Sequence, residues 1–167
     1  ITEGCAGIYN AEQLNQWKKI TDFIHNNTET KIGIQLGHSG RKGATKKPWE
    51  GNGPMETPWN LISASPIPFN ENFATPKEMT LEDMEEIKAQ FVQATKNADE
   101  AGFDMIELQT HHGFLLASFL SPLTNIRTDE FGGSIENRLK YPLAIFKAIR
   151  EVFPTEKPIS VRISATD

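Results

Sequence analysis

Polar side chains interrupt apolar runs at three places, and those interruptions are where chemistry would be done. The run Lys31–Gly37 (KIGIQLG) carries Gln35 and leads into His38, Gly40, Arg41 and Lys42. The run Phe103–Thr110 (FDMIELQT) carries Gln109 and leads into His111, His112 and Phe114. The run Ile159–Ser164 (ISVRIS) carries Arg162 near its end. Amides that donate and accept, imidazoles that titrate near neutrality and a guanidinium of fixed charge suit the binding of polar ligand edges and of developing anions. Sequence pattern and residue type disagree most often at functional sites. Each residue also has a structural reading. Gln35 is then a satisfied polar group in a packed layer, and Arg162 half of an ion pair. His111 and His112 point to opposite sides if they lie on a strand, and in open directions if on a loop. His38, His111 and His112 offer imidazoles, but no metal-ligand spacing accompanies them, so no metal is expected.

These residues need elements to position them. The three runs are short and nearly continuous in apolar character, as strands covered on both faces are. Three helical patterns alternate with them. Asn10 caps the first, with Gln13 in a capping-box position, and Leu14, Trp17, Ile20 and Ile24 form its stripe. Thr80 opens the second, with Asp83 three residues on; Met84, Ile87, Phe91, Ala94 and Ala98 face the core, and Gly102 stops it. Ser134 caps the third, whose core face is Leu139, Phe146, Ile149 and Val152, with Pro142 expected to kink it or delay its regular part. Gly43–Pro76 is rich in Pro, Gly and Asn, aperiodic, and long for a connection; loops of that length are usually functional or disordered. Helices alternating with strands predict an α/β fold with parallel strands, and ligands of such sheets lie at the carboxyl ends of the strands.

Composition narrows the function. The 167 residues are 38% hydrophobic and 23% charged, an ordinary globular balance. The net charge of −5 argues against a nucleic-acid partner. No apolar run reaches a membrane span and no secretory pattern opens the chain, so no membrane partner is expected. Cys5, the single cysteine, excludes an internal disulfide and makes a reducing cytoplasmic location the default. Arg41, Lys42, Lys46 and Lys47 form one local basic cluster, either a solvated loop or a patch that holds an anionic ligand. The chain begins at Ile1 and ends at Asp167 directly after an apolar run, which reads as an excerpt of a longer protein.

The runs IQLGHSGRKG (34–43), GFDMIELQTHHGFLLASFLSPLTNIRTDEFGGSIENR (102–138) and VRISATD (161–167) resemble the Old Yellow Enzyme family in order and separation, over essentially the whole chain. RTDEFGGSIENR is the most specific part. GCAGIY, GRKG and LISASPIPF resemble more closely the reductase half of salicylyl-CoA and anthraniloyl-CoA hydroxylase-type proteins. The resemblance implies a (β/α)8 TIM barrel with FMN at its carboxyl-terminal mouth and NAD(P)H as reductant. Residues 1–167 would be a fragment of that single FMN-binding domain, from the second helix through the fifth strand. The remainder of the barrel would be its partner, and a homo-oligomer is compatible.

The resemblance also assigns roles. Gln35 would bond the polar edge of the flavin pyrimidine ring, and Arg162 would lie beside the flavin where reduction builds negative charge. Gln109 and His112 match the two positions, usually His with His or Asn, that hold the oxygen of an α,β-unsaturated carbonyl. The family's proton-donating tyrosine falls at Phe114, which has no proton to give, so ordinary ene-reduction is in doubt. The expected activity is FMN-dependent transfer of hydride from NAD(P)H to an activated C=C bond, with the basic cluster admitting a CoA thioester. The alternative is a catalytically altered or structural half-barrel in a larger flavoprotein. The phosphate-binding strands of the family are not among these residues, so the chain by itself is expected to bind FMN poorly and to be inactive.

Overall fold

The computed structural model describes residues 1–166. Helix α1 (Ala11–Asn27) leads to strand β1 (Gly33–Leu36). A long connection follows, holding the two-residue strands β2 (Ile62–Ser63) and β3 (Lys77–Glu78). Helix α2 (Leu81–Glu100), strand β4 (Met105–Thr110), the short helix α3 (Leu115–Leu120), helix α4 (Ile135–Val152) and strand β5 (Ile159–Ile163) complete the order. The main sheet is parallel, ordered β1-β4-β5. Gln35 stands opposite Glu107, and Gln109 opposite Arg162.

Strand β4 alternates strictly between buried and half-buried residues. Ile106 and Leu108 are fully buried under the helices. Met105, Glu107 and Gln109 take the other face, as the two-residue period of a strand requires. Helices α2 and α4 pack on one another, and α3 packs on α4. The Tyr141 hydroxyl donates to the Met84 carbonyl (3.0 Å), and the Phe119 and Tyr141 rings lie 4.7 Å apart.

Caps form where Asn10, Thr80 and Ser134 place them, with one difference in detail. The Asn10 side chain accepts from the Gln13 N–H, but the Gln13 side chain reaches past Asn10 to accept from the Tyr9 N–H. Thr80 and Asp83 make the full reciprocal box. Gly102, at φ +90°, closes α2: its N–H donates to Asp99 and that of Phe103 to Ala98.

Two core faces differ from the sequence reading. In α1 the buried position is Thr21, not Ile20, which is 46% exposed. Thr21 is polar only at its hydroxyl, which donates to the Ala101 carbonyl and so joins α1 to the end of α2. In α4 the deepest residues are Tyr141, Pro142, Ile145 and Ile149. The helix is regular from Ile135, well before Pro142, so the proline does not delay it.

The connection after β1 is built around Arg127. Its Nη1 donates to the carbonyls of Ala64 (3.0 Å) and Met79 (2.8 Å), and its Nε to Asp129 (3.0 Å). One buried guanidinium therefore clamps both sides of the β2–β3 pair. The Ala64 N–H donates to Ser118 Oγ (3.1 Å), and the Ile126 N–H to Ser65 Oγ (3.0 Å). Asn125 Nδ2 donates to the carbonyls of Phe119 and Phe131, both at 2.8 Å. Much of RTDEFGGSIENR is thus a structural brace for α3 and the long connection.

Candidate active site

Five side chains line up on the face of the sheet opposite the helices. Gln35 Nε2 donates to Glu107 Oε1 at 2.6 Å, and Arg162 Nη1 lies 3.9 Å from the same oxygen. Gln109 Nε2 donates to Gln35 Oε1 at 3.1 Å. His111 Nε2 stands 3.5 Å from Gln35 Nε2. Parallel pairing in register brings these residues together, since Gln35 faces Glu107 and Gln109 faces Arg162. Gly37 makes room for the row: a Cβ there would run into the Gln109 carboxamide. Gln35 and Arg162 therefore share one face near the carboxyl ends of β1, β4 and β5.

Glu107 was not among the residues singled out in sequence, and His111 was singled out there without a role. The signal was present, because alternate strand residues share a face and Glu107 lies two before Gln109. His111 is buried, and its Nδ1 has no hydrogen-bond partner. Burial, aided by His112 and Arg162, pushes its pKa below the ordinary histidine value, so the ring is neutral at physiological pH. Burial likewise pushes His38 down to about 4. His38 Nδ1 accepts from the Gly40 N–H (3.0 Å), a bond that needs the unprotonated nitrogen.

His112 and Phe114 sit beyond the end of β4, around the turn. His112 has φ +55° and is exposed, with its N–H donating to Ser164 Oγ (3.0 Å). Its ring packs edge-on against His111 at 4.1 Å, and Phe114 lies 6.1 Å from His111. Gln109 turns instead toward Gln35, and no hydrogen bond joins it to His112 among the described residues.

The basic cluster does not form one patch. Lys46 pairs with Glu56 (3.5 Å) and Lys47 with Glu50 (3.0 Å). Arg41 and Lys42 turn the other way, into a cleft of about 440 Å³ that they share with Phe69, His112, Ser121 and Ser164. Among the described residues no group of three His, Cys, Asp or Glu is placed to hold a metal ion. No helix among them is long and apolar enough to cross a membrane.

The profile of the NADH:flavin oxidoreductase / NADH oxidase family matches residues 1–167. The chain belongs to that family. An NADH:flavin oxidoreductase of Gibberella zeae is 43% identical over the whole chain and 42% of its own length. An NADPH dehydrogenase of Clostridium acetobutylicum is 47% identical over 83% of the chain and 38% of its own length. The crystal structure of Old Yellow Enzyme from Pichia sp. AKU4542 superposes with a TM-score of 0.78 at 33% identity, covering 93% of this chain and 41% of that one. The chain thus spans less than half the length of these relatives. Its parallel strands and alternating helices are part of a TIM barrel of the Old Yellow Enzyme kind.

Membership in this family implies FMN as cofactor and NAD(P)H as reductant. The residues of the open face fit a flavin. Gln35 spends one lone pair on Gln109 and one N–H on Glu107, which leaves the amide both a donor and an acceptor. The Arg162 side chain is 57% exposed and has one loose contact, so most of its donors are available.

Proposed function

We propose that the full-length protein is an FMN-dependent NAD(P)H oxidoreductase whose acceptor is the activated C=C bond of an α,β-unsaturated carbonyl. Residues 1–167 then belong to a single barrel domain and supply one wall of its cofactor and acceptor site. One observation carries the reading: Gln35 and Arg162 converge on Glu107 Oε1 on the open face of a parallel sheet. When bound, FMN supplies the two-electron chemistry that links NAD(P)H to the acceptor.

The chain's own residues divide the remaining work. The Gln35 carboxamide donates and accepts, which selects a ligand edge that does both. Arg162 adds a fixed positive charge at the end of the row and favours a ligand that gains negative charge there. Glu107 holds Gln35 directly and restrains Arg162. Gln109 and His112 are the donors for the acceptor oxygen; charge drawn onto that oxygen leaves the β-carbon electron-poor. In this arrangement Gln109 exchanges its bond to Gln35 for one to the acceptor. Phe114 contributes packing but no proton, so the α-carbon takes its proton from water or from another residue.

A second reading rests on Gln109 and Phe114: a domain that binds flavin or a carbonyl ligand without ene-reduction. An anaerobic titration of the full-length protein separates the two. NAD(P)H is added until the flavin absorbance bleaches, then a panel of enones and enoyl-CoA esters. Recovery of absorbance on adding an enone is expected. Bleaching without recovery by any member of the panel supports the second reading, and a protein that carries no flavin contradicts the first.

A further inference from the structure

Four cations fall within Arg41–Lys47, and the fold treats them in two ways. Lys46 and Lys47 are neutralised by Glu56 and Glu50. Arg41 and Lys42 have no carboxylate partner among the described residues, although both are half-buried. Arg41 Nη1 donates to the carbonyls of Ile67 (3.4 Å) and Pro68 (3.0 Å), and its Nε is buried without a partner. The Lys42 ammonium donates to the His112 carbonyl and lies 4.5 Å from the centre of the Phe69 ring and 5.4 Å from that of Phe114. A solvated basic loop would leave such a side chain in water. Here the ammonium is held by a backbone carbonyl and two aromatic rings, in the wall of a cleft that His112 also lines.

We propose that this cleft is an anion subsite, in which Lys42 binds the carboxylate of an acceptor whose reacting C=C bond is presented to His112. The inference rests on the functional reading above and narrows its substrate class to unsaturated carbonyl compounds that also carry a carboxylate. Three observations favour a carboxylate. Of the two cations that line the cleft, Arg41 turns its Nη1 donors to the Ile67 and Pro68 carbonyls, while the Lys42 ammonium lies at the His112 carbonyl, so a ligand presented to His112 meets the Lys42 charge and one negative charge answers it. Ser121 Oγ and Ser164 Oγ each accept from a backbone N–H (Leu123 at 3.1 Å, His112 at 3.0 Å), so both hydroxyls keep a proton to donate into the cleft. Burial and the neighbouring Arg41 also push the Lys42 pKa below the ordinary lysine value, an uncompensated cost that a bound anion relieves.

The test uses a matched pair of probes, monomethyl fumarate and dimethyl fumarate. Both carry an activated C=C bond next to an ester carbonyl, and only the first carries a carboxylate. Their affinities for the full-length, FMN-loaded protein are measured by calorimetry without NAD(P)H, so that binding is read without turnover. The wild type is expected to bind monomethyl fumarate at least ~10-fold more tightly, the scale of one charge-assisted hydrogen bond. That ratio should shrink as salt is raised. Lys42→Met should bring it close to one, while Lys42→Arg, which keeps the charge, should retain most of it. Equal affinities in the wild type overturn the proposal without any variant. So does a preference that survives in Lys42→Met, or a wild type that binds neither probe. The functional reading is checked separately, by NAD(P)H-driven consumption of dimethyl fumarate. If that compound is never consumed the reading fails, and the calorimetric ratio still decides the subsite.

Discussion

Phe114 stands where the family resemblance expects a tyrosine, and the consequence can be measured. In the proposed function, charge that develops on the acceptor oxygen would be met by Gln109 and His112, so hydride transfer to the acceptor would not need Phe114. Protonation of the α-carbon does need an acid, and a positioned one typically contributes about 10²–10⁴-fold. Phe114→Tyr in the full-length enzyme should therefore raise turnover with cyclohexenone and leave flavin reduction by NAD(P)H nearly unchanged. Stopped-flow measurement of each half-reaction decides this. No gain in the mutant, with rapid turnover already in the wild type, would mean that the proton has another source. Gln35 and Arg162 were legible in sequence because a polar side chain inside an apolar strand is conspicuous. Glu107 was less so, because its importance lies in what stands opposite it: the register with Gln35 fixes it, and register is not written in one strand alone. His111 and His112 were ambiguous because their directions depend on where β4 ends, and it ends at Thr110.

Among the elements, the long strands and helices were readable from period and caps, because burial and hydrogen bonding both leave a mark on the sequence. Helix α3 was not, since six residues (LLASFL) are too short to show a helical period. Thr21 and Tyr141 were missed as core positions because each carries a hydroxyl, and only the fold shows that Ala101 and Met84 accept from them. The connection from Gly43 to Pro76 looked aperiodic because its order comes from outside it, through Arg127. Removing that side chain should be costly. Arg127→Leu leaves the buried carbonyls of Ala64 and Met79 without their partner, at about 1–3 kcal/mol each. A loss of at least about 2 kcal/mol is expected in urea unfolding of the full-length protein. A loss below about 0.5 kcal/mol, the range of an ordinary surface change, would contradict the clamp.

The whole molecule is set by the open sheet. Strands β1 and β5 are its two edges, and Val161 (45%) and Ile163 (65%) of β5 are exposed apolar residues. A closed barrel of this kind has about eight strands, and this chain supplies three to its sheet. Unpaired edges and an uncovered face favour association. Expressed alone, residues 1–167 should run as aggregates or mixed oligomers in sedimentation velocity and should retain little FMN. A monomer that unfolds cooperatively would contradict this. Barrel closure was not legible from composition or period, which give parallel strands but not whether their sheet closes; the family resemblance and the Old Yellow Enzyme superposition supply that.

The central claim is that the row from Gln35 to Arg162 faces the flavin. The most direct measurement is the midpoint potential of FMN bound to the full-length protein, wild type against Arg162→Ala. A positive charge beside the cofactor favours its reduced, negatively charged form, so its removal should lower the potential. An unchanged potential, with FMN fully bound in both proteins, would place Arg162 away from the flavin and contradict the account.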